Sequence, residues 1–285
     1  MRDYGTVSRR SSMTSRHTTD AHRSPDSPSL RPFSAVLIDV DLVLTDFATV
    51  RAAAWKRTFD AFLKEIIPPA PARIRPFCAV EDFRLYVDGR TSLDGALAFL
   101  DARGIDVPVG APAARPGWSS AHALVAYSDQ VLDGYVRRYG VTARPGTARL
   151  VRALRAQEIV VAAVSAVRHA GDLLARAGAG GDFFAVVDPG DHKASGLPGP
   201  PSPDLLTECA HRMGIPAAHT VVLERSFLGV RAARRGRFGL TVAVDETRAM
   251  RHAAELRQAG ADLVVRSPDE LSDTLTALAD ERHAA

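Results

Sequence analysis

Six short apolar runs, each unbroken rather than alternating, recur along the chain: residues 35–38 (AVLI), 159–164 (IVVAAV), 183–187 (FFAVV), 220–223 (TVVL), 240–244 (LTVAV) and 262–265 (DLVV). A strand covered on both faces has no polar side to show. Continuous runs of this length are therefore the pattern of a mostly parallel sheet held between helical layers. Helix-period stretches separate the runs. Residues 146–157 place Leu150, Val151 and Leu154 on one face, and residues 171–178 close on a glycine. Strand and helix alternate, so the spacing predicts an α/β open sheet.

The segment from about residue 48 to 135 breaks that rhythm and reads as helical. Its first helix carries Trp55, Phe59, Phe62 and Ile66 at helical spacing, a core stripe. Residues 67–76 and 107–117, rich in Pro, Ala and Gly, read as loops. A helical insert after the first strand lies at the C-terminal edge of the sheet, where open α/β sheets bind ligands. The expected organisation is a disordered tail over 1–32, an α/β core over 33–48 and 136–285, and a helical cap over 49–135.

At 285 residues, 46% apolar and 24% charged, the chain can bury a substantial core. Its 36 basic and 33 acidic residues leave a net charge of only +3, several of those positive charges in the tail, which gives no ground for a nucleic-acid partner. The cysteines, Cys78 and Cys209, are far apart without metal-ligand spacing, as suits a reducing cytoplasm. No run approaches the ~20 apolar residues of a membrane span. The N-terminal stretch lacks the apolar centre of a secretion signal, and Asp3, Asp20 and Asp26 argue against a transit peptide.

The first run passes straight into two carboxylates, Asp39 and Asp41. At i, i+2 on a strand end both point to one side, either as a solvated strand end or converging on one reacting centre, one attacking and the other handling a proton. Ser165 stands just past the second run, where a hydroxyl and free backbone N–H groups can hold phosphate. GLPGPPSPD (196–204) precedes a helix, and VVLERSFLGVRAARRG (221–236) reads as strand, acidic residue, loop, glycine and helix. These four segments bring four strand edges into play at once.

Over residues 33–271 the sequence resembles the haloacid-dehalogenase-like (HAD) hydrolases, in their β-phosphoglucomutase-like branch. The resemblance rests on DVDLVLTD, AAAWKRTFDAF, YVDGRTSLDGALAFL, RPGTARLVRALR, GLPGPPSPD and VVLERSFLGV. It implies a Rossmann-like core with an inserted helical cap, and a small phosphorylated metabolite such as a sugar phosphate as substrate. It further implies Asp39 as the nucleophile that becomes an aspartyl-phosphate, Asp41 as general acid/base, Ser165 as a phosphoryl-binding residue, and Mg²⁺ held by Asp39, Asp41 and Glu224.

Several positions depart from the family pattern. Leu42 stands where glycine follows the acid/base residue, and if the turn requires a glycine-only dihedral the fit costs about 1 kcal/mol or more. Pro200 replaces the motif lysine. Of the three lysines, Lys56, Lys64 and Lys193, only Lys193 is near enough in sequence to substitute; otherwise it is a solvated loop lysine. The Glu-Asp of the fourth motif is Glu224-Arg225. Arg225 either turns to solvent, leaving a weakened metal site, or pairs with Asp39 and Asp41 in the metal's place. In the cap, Ser92 and Tyr127-Ser128-Asp129 stand where the family carries residues that grip the sugar phosphate, and Arg51 stands at an expected histidine. The expectation is weakened HAD phosphoryl transfer, or alternatively a catalytically degenerate binding or regulatory relative. A metal-free dehalogenase fits less well because the second aspartate is retained. A monomer is the favoured state.

Overall fold

The computed structural model describes residues 33–45, 47–66, 75–191, 194, 196–247 and 250–271. Its centre is a six-stranded sheet, all parallel, in the order β3-β2-β1-β4-β5-β6. The strands are β1 (Ala35–Asp39), β2 (Val160–Val164), β3 (Val186–Val187), β4 (Thr220–Glu224), β5 (Leu240–Val244) and β6 (Leu263–Val265). The helices are α1 (Val40–Val43), α2 (Phe47–Ile66), α3 (Ser92–Ala102), α4 (Ala121–Tyr139), α5 (Pro145–Ala156), α6 (Ala170–Arg176), α7 (Asp204–Met213), α8 (Phe227–Arg235) and α9 (Met250–Ala259).

The unbroken apolar runs have the expected cause. Val36 and Ile38 of β1 enter one core with Leu150, Leu154 and Leu174 from α5 and α6. Leu37, between them, enters the opposite core with Leu206, Cys209 and Val222. Both faces of the strand are apolar because both are covered. The run at 183–187 is the exception, since only its last two residues form strand. β3 is an edge strand with one neighbour, and Phe184 is 65% exposed. The two strand residues still divide between the two cores, Val186 against the first and Val187 in the second.

The helices between β1 and α5 build a separate core around Trp55, Phe59, Phe62, Phe77, Phe99 and Leu124. Phe59 packs on Phe99 with ring centroids 4.1 Å apart. Trp55, Phe59 and Phe62 are thus core, as their spacing predicts; the Ile66 side chain and residues 67–74 lie outside the described residues. Helix α2 begins at Phe47 and α4 continues to Tyr139, so both run past the expected cap limits of 49 and 135. The expected tail, 1–32, also lies outside the described residues.

Strand order reverses between β1 and β4. The chain leaves β1 towards β2 and β3 on one side and returns to β4, β5 and β6 on the other. Such a switch point opens a crevice at the C-terminal ends of the two strands. The register sets Asp39 beside Val164 and Ile38 beside Leu223, so Asp39, Ser165 and Glu224 all arrive at this one edge.

Candidate functional site

Asp39, Asp41, Ser165, Pro200 and Glu224 line a single cavity, joined by Arg51, Asp88 and Gly89 from the helical layer above. Its volume is about 30 Å³, enough for two or so water molecules but not for a sugar phosphate. In this conformation the cavity does not admit a ligand of that size.

Asp39 ends β1, and the chain turns at once into α1, whose first turn carries Asp41. The two carboxylates converge as expected, although a helical turn rather than a continued strand delivers the second. Leu42 follows in helical conformation, 2% exposed. Its carbonyl accepts the Thr147 hydroxyl at 2.5 Å. Among the described non-glycine residues, positive φ occurs only at Glu158, His169 and Arg237. The turn therefore requires no glycine-only dihedral at Leu42, because a single helical turn leaves the strand with a right-handed backbone.

Asp41 is almost wholly buried and already neutralised. Arg51, on α2, donates from Nη1 to Asp41 Oδ2 at 3.0 Å, with the two side chains 4% and 7% exposed. Arg225 Nη1 approaches the same oxygen at 3.6 Å and pairs with Asp88 Oδ1 at 3.0 Å. Arg225 thus points inward, and it bridges the sheet edge to the helical layer. Burial opposes its charge, but Asp88, Asp41, Asp39 and Glu224 outweigh that and hold its pKa above the ordinary guanidinium value. Of the two sequence alternatives the structure selects the inward one, with Asp88 as its nearest partner in place of Asp39.

Burial, followed by the neighbouring Glu224 and Asp41 carboxylates, raises the Asp39 pKa well above the usual carboxylate range; Arg225 pulls the other way. Glu224 is pushed up to about 7, again chiefly by burial and against three stabilising hydrogen bonds. Those bonds come from the N–H groups of Arg225 and Ser226 at 3.0 and 3.2 Å and from the Ser226 hydroxyl at 3.2 Å, all to Oε2. The carboxylate lies over the start of α8, where Gly229 makes room: a Cβ there would sit 2.0 Å from the carboxyl carbon. The glycine of the FLGV stretch is a packing requirement for Glu224.

Ser165 is 3% exposed and lines the cavity. Its backbone N–H is not free as expected: it donates to Val187 O at 2.9 Å, continuing the β2–β3 ladder. Its hydroxyl oxygen accepts the Val167 N–H at 3.0 Å, which leaves the hydroxyl proton to give. Lys193 lies outside the described residues. Ser92 and Tyr127-Ser128-Asp129 do not line the cavity: Ser92 and Ser128 are buried, Tyr127 packs on Trp118 with centroids 4.6 Å apart, and Asp129 is raised to about 6, mainly by burial.

Two site residues carried little signal in the sequence. Arg51 was visible only as an unexpected residue at a histidine position. Its Nη2 is buried without a hydrogen-bond partner among the described residues, an orphan donor at the rim of an otherwise acidic cavity. Asp88 offered only the turn signal of the following Gly89, whose φ is +71°. A Cβ on Gly89 would meet the Ser226 oxygen at 2.5 Å, so the glycine lets this loop close directly onto the sheet edge.

The resemblance implies magnesium, and the residues present do not fit it in this conformation. Among the described residues no three acidic, histidine or cysteine side chains stand together as a metal site. Asp41 Oδ2 faces two guanidinium groups, and Glu224 Oε2 is spent on the start of α8. A divalent cation about 4 Å from the Arg225 charge would be repelled by roughly 8 kcal/mol at an effective dielectric of 20.

Comparison with known proteins agrees with this architecture. Residues 33–237 match the family model of the haloacid dehalogenase-like hydrolases. The β-phosphoglucomutase of Mycobacterium bovis is 33% identical over 237 residues, which is 83% of this chain and 90% of that protein. Among solved structures, a hydrolase from Pseudomonas syringae superposes with a TM-score of 0.66 at 20% identity, over 86% of this chain and 98% of that one. A HAD family hydrolase from Deinococcus radiodurans, with phosphate and sodium bound, gives 0.55 at 28% identity, over 84% and 93% of the two chains. The parallel sheet, the acidic strand edge at its switch point and the match across most of the chain place this protein in one family: it belongs to the haloacid dehalogenase-like hydrolases, with a β-phosphoglucomutase among its relatives.

Proposed function

We propose that the cap–core cleft binds a small phosphorylated metabolite by its phosphoryl group and transfers that group through Asp39, with arginines supplying the positive charge. The observation that carries this reading is the Arg51 guanidinium. One nitrogen is committed to Asp41, and the other is buried and without a hydrogen-bond partner among the described residues, on a side chain that lines the same cavity as Asp39. A phosphoryl oxygen is the acceptor that such a donor lacks. The relative with phosphate bound in its crystal structure supports the same choice of ligand.

In this scheme the ester phosphate displaces water from the cavity, taking hydrogen bonds from Arg51 Nη2, the Ser165 hydroxyl and Arg225. Asp39 in its ionised form attacks phosphorus in line; the P–O bond to Asp39 forms as the bond to the leaving oxygen breaks. The proton that Asp39 gives up on ionising passes by way of the neighbouring Asp41 to that leaving oxygen, and water later hydrolyses the acyl phosphate or a second metabolite accepts the group. Two features slow the step. Asp39 without a ligand is held towards its protonated form, and Asp41 is tied to Arg51. If the missing lysine and the missing acidic metal ligand each cost ~3 kcal/mol of transition-state stabilisation, turnover falls by about 10⁴-fold.

A second reading has the same cleft bind the metabolite without turnover, as a regulatory protein would. The engagement of Asp41 by two arginines favours it. Hydrolysis of a generic phosphate ester by wild type, Asp39→Asn and the double variant Pro200→Lys with Arg225→Asp separates the two. Slow turnover lost in Asp39→Asn supports transfer. Turnover that appears only in the double variant, and there depends on Asp39, supports binding alone. Absence of phosphate binding in all three would defeat both.

A further inference from the structure

Beside the catalytic cavity lies a second depression, a groove of about 340 Å³ between the helical layer and α8 and α9. Asp88 is common to both, and the Asp88–Gly89 turn is the partition between them. Arg84 and Arg90 reach the groove from the helical layer, and Arg231 from α8. Phe227, Leu228 and Ala259 give it an apolar floor. Its volume falls within the range of small-molecule sites.

The charge of this groove is not balanced. Its two carboxylates each pair with a cation that is not part of its lining. Asp88 is paired with Arg225 at 3.0 Å, and Glu255 with Arg251 at 2.9 Å. Arg84, Arg90 and Arg231 have no ion pair or hydrogen bond from their side chains among the described residues. Three guanidinium groups of uncompensated charge therefore face one concave surface, a setting in which field lines concentrate and planar donors meet phosphate oxygens in pairs.

We propose that this groove is a second phosphate-binding site, outside the catalytic cavity, for a small anion carrying one or more phosphoryl groups. It holds whether or not Asp39 is catalytic. Its ligand is a free phosphate compound, recognised by the planar donors of the groove.

The test is calorimetric titration of inorganic pyrophosphate into the full chain at low ionic strength. Four proteins are compared: wild type, the double variant Arg84→Gln with Arg231→Gln, Ser165→Ala, and a charge control, Arg152→Gln with Arg155→Gln on α5. The groove arginines are at the surface, and a melting curve without ligand verifies that the first double variant folds as wild type does. Binding that persists in Ser165→Ala and in the control, but weakens at least about tenfold in Arg84→Gln with Arg231→Gln, is the expected result. Binding lost only in Ser165→Ala places the anion in the catalytic cavity and overturns the proposal. Equal weakening in the control shows a general effect of charge, and no binding to wild type shows no site; either also overturns it.

Discussion

Replacing Arg225 by aspartate should strengthen magnesium binding at the acidic edge of the sheet. The guanidinium lies 3.6 Å from Asp41 and 3.0 Å from Asp88, and Glu224 is the residue before it. A dication about 4 Å from that charge meets a repulsion of roughly 8 kcal/mol at an effective dielectric of 20, and an anion there gives an attraction of similar size. Water and side-chain movement will absorb much of this swing, since Arg225 is 29% exposed. A small remainder is still enough to measure. Magnesium at a hundred times its dissociation constant stabilises a folded protein by about 2.7 kcal/mol, which for a chain of this size raises Tm by roughly 5–10 °C. The assay is a thermal melt with and without magnesium on wild type, Arg225→Asp and Arg225→Ala. Wild type should not respond, Arg225→Ala should respond weakly, and Arg225→Asp should show the full shift while melting lower than wild type without metal, because it adds an acid to an acidic cluster. A wild-type shift as large as that of Arg225→Asp would refute the reasoning, since the guanidinium would then yield its place at no cost.

Three more outcomes follow from the same cluster. Arg51→Ala strands Asp41 in a nearly dry setting, and urea unfolding should show a loss of about 3 kcal/mol; Arg225 at 3.6 Å keeps this at the lower end of the range for broken buried pairs, and Arg51→Lys should restore part of it. Glu224 has a folded pKa of about 7 against an ordinary value of 4.5, so the folded state holds a proton that the unfolded chain has released. Stability from this group is therefore complete below about pH 4.5 and declines as pH rises to about 7, by on the order of 3 kcal/mol. Asp39, raised in the same direction, adds to the decline, and Glu224→Gln should flatten the dependence of Tm on pH across that window. Gly229→Ala forces a methyl group against the Glu224 carboxyl carbon, 2.0 Å from the ideal Cβ, and should cost about 1–3 kcal/mol in chemical denaturation.

Much of the fold was legible because its cause is local and repeated. Unbroken apolar runs such as residues 35–38 and 220–223 report burial on both faces, and the helix-spaced Trp55, Phe59 and Phe62 report a packed stripe; both patterns are set by backbone geometry within a few residues. The run at 183–187 did form a strand of the sheet, but only its last two residues pair, which an apolar run by itself does not reveal. The same limit governed the site. Asp39, Asp41, Ser165 and Glu224 were readable because each stands at the end of a strand or in the turn after it, a position the chain's own periodicity marks. Arg51 and Asp88 were not, since they come from other elements and act only across the cleft.

Sequence alone determined the family, the parallel sheet and the acidic edge, all consequences of short-range pattern and of motifs along the chain. It also showed which residues depart from the motif, but not where they point. Only the tertiary structure decided that Leu42 fits in an ordinary helical turn, that Arg225 turns inward to Asp88 and Asp41, and that Arg51 leaves one buried nitrogen unpaired among the described residues. The reason is electrostatic. A charged side chain goes where distant parts of the chain bring its counter-charges, and the residue that draws Arg225 inward, Asp88, lies 137 positions away in the sequence.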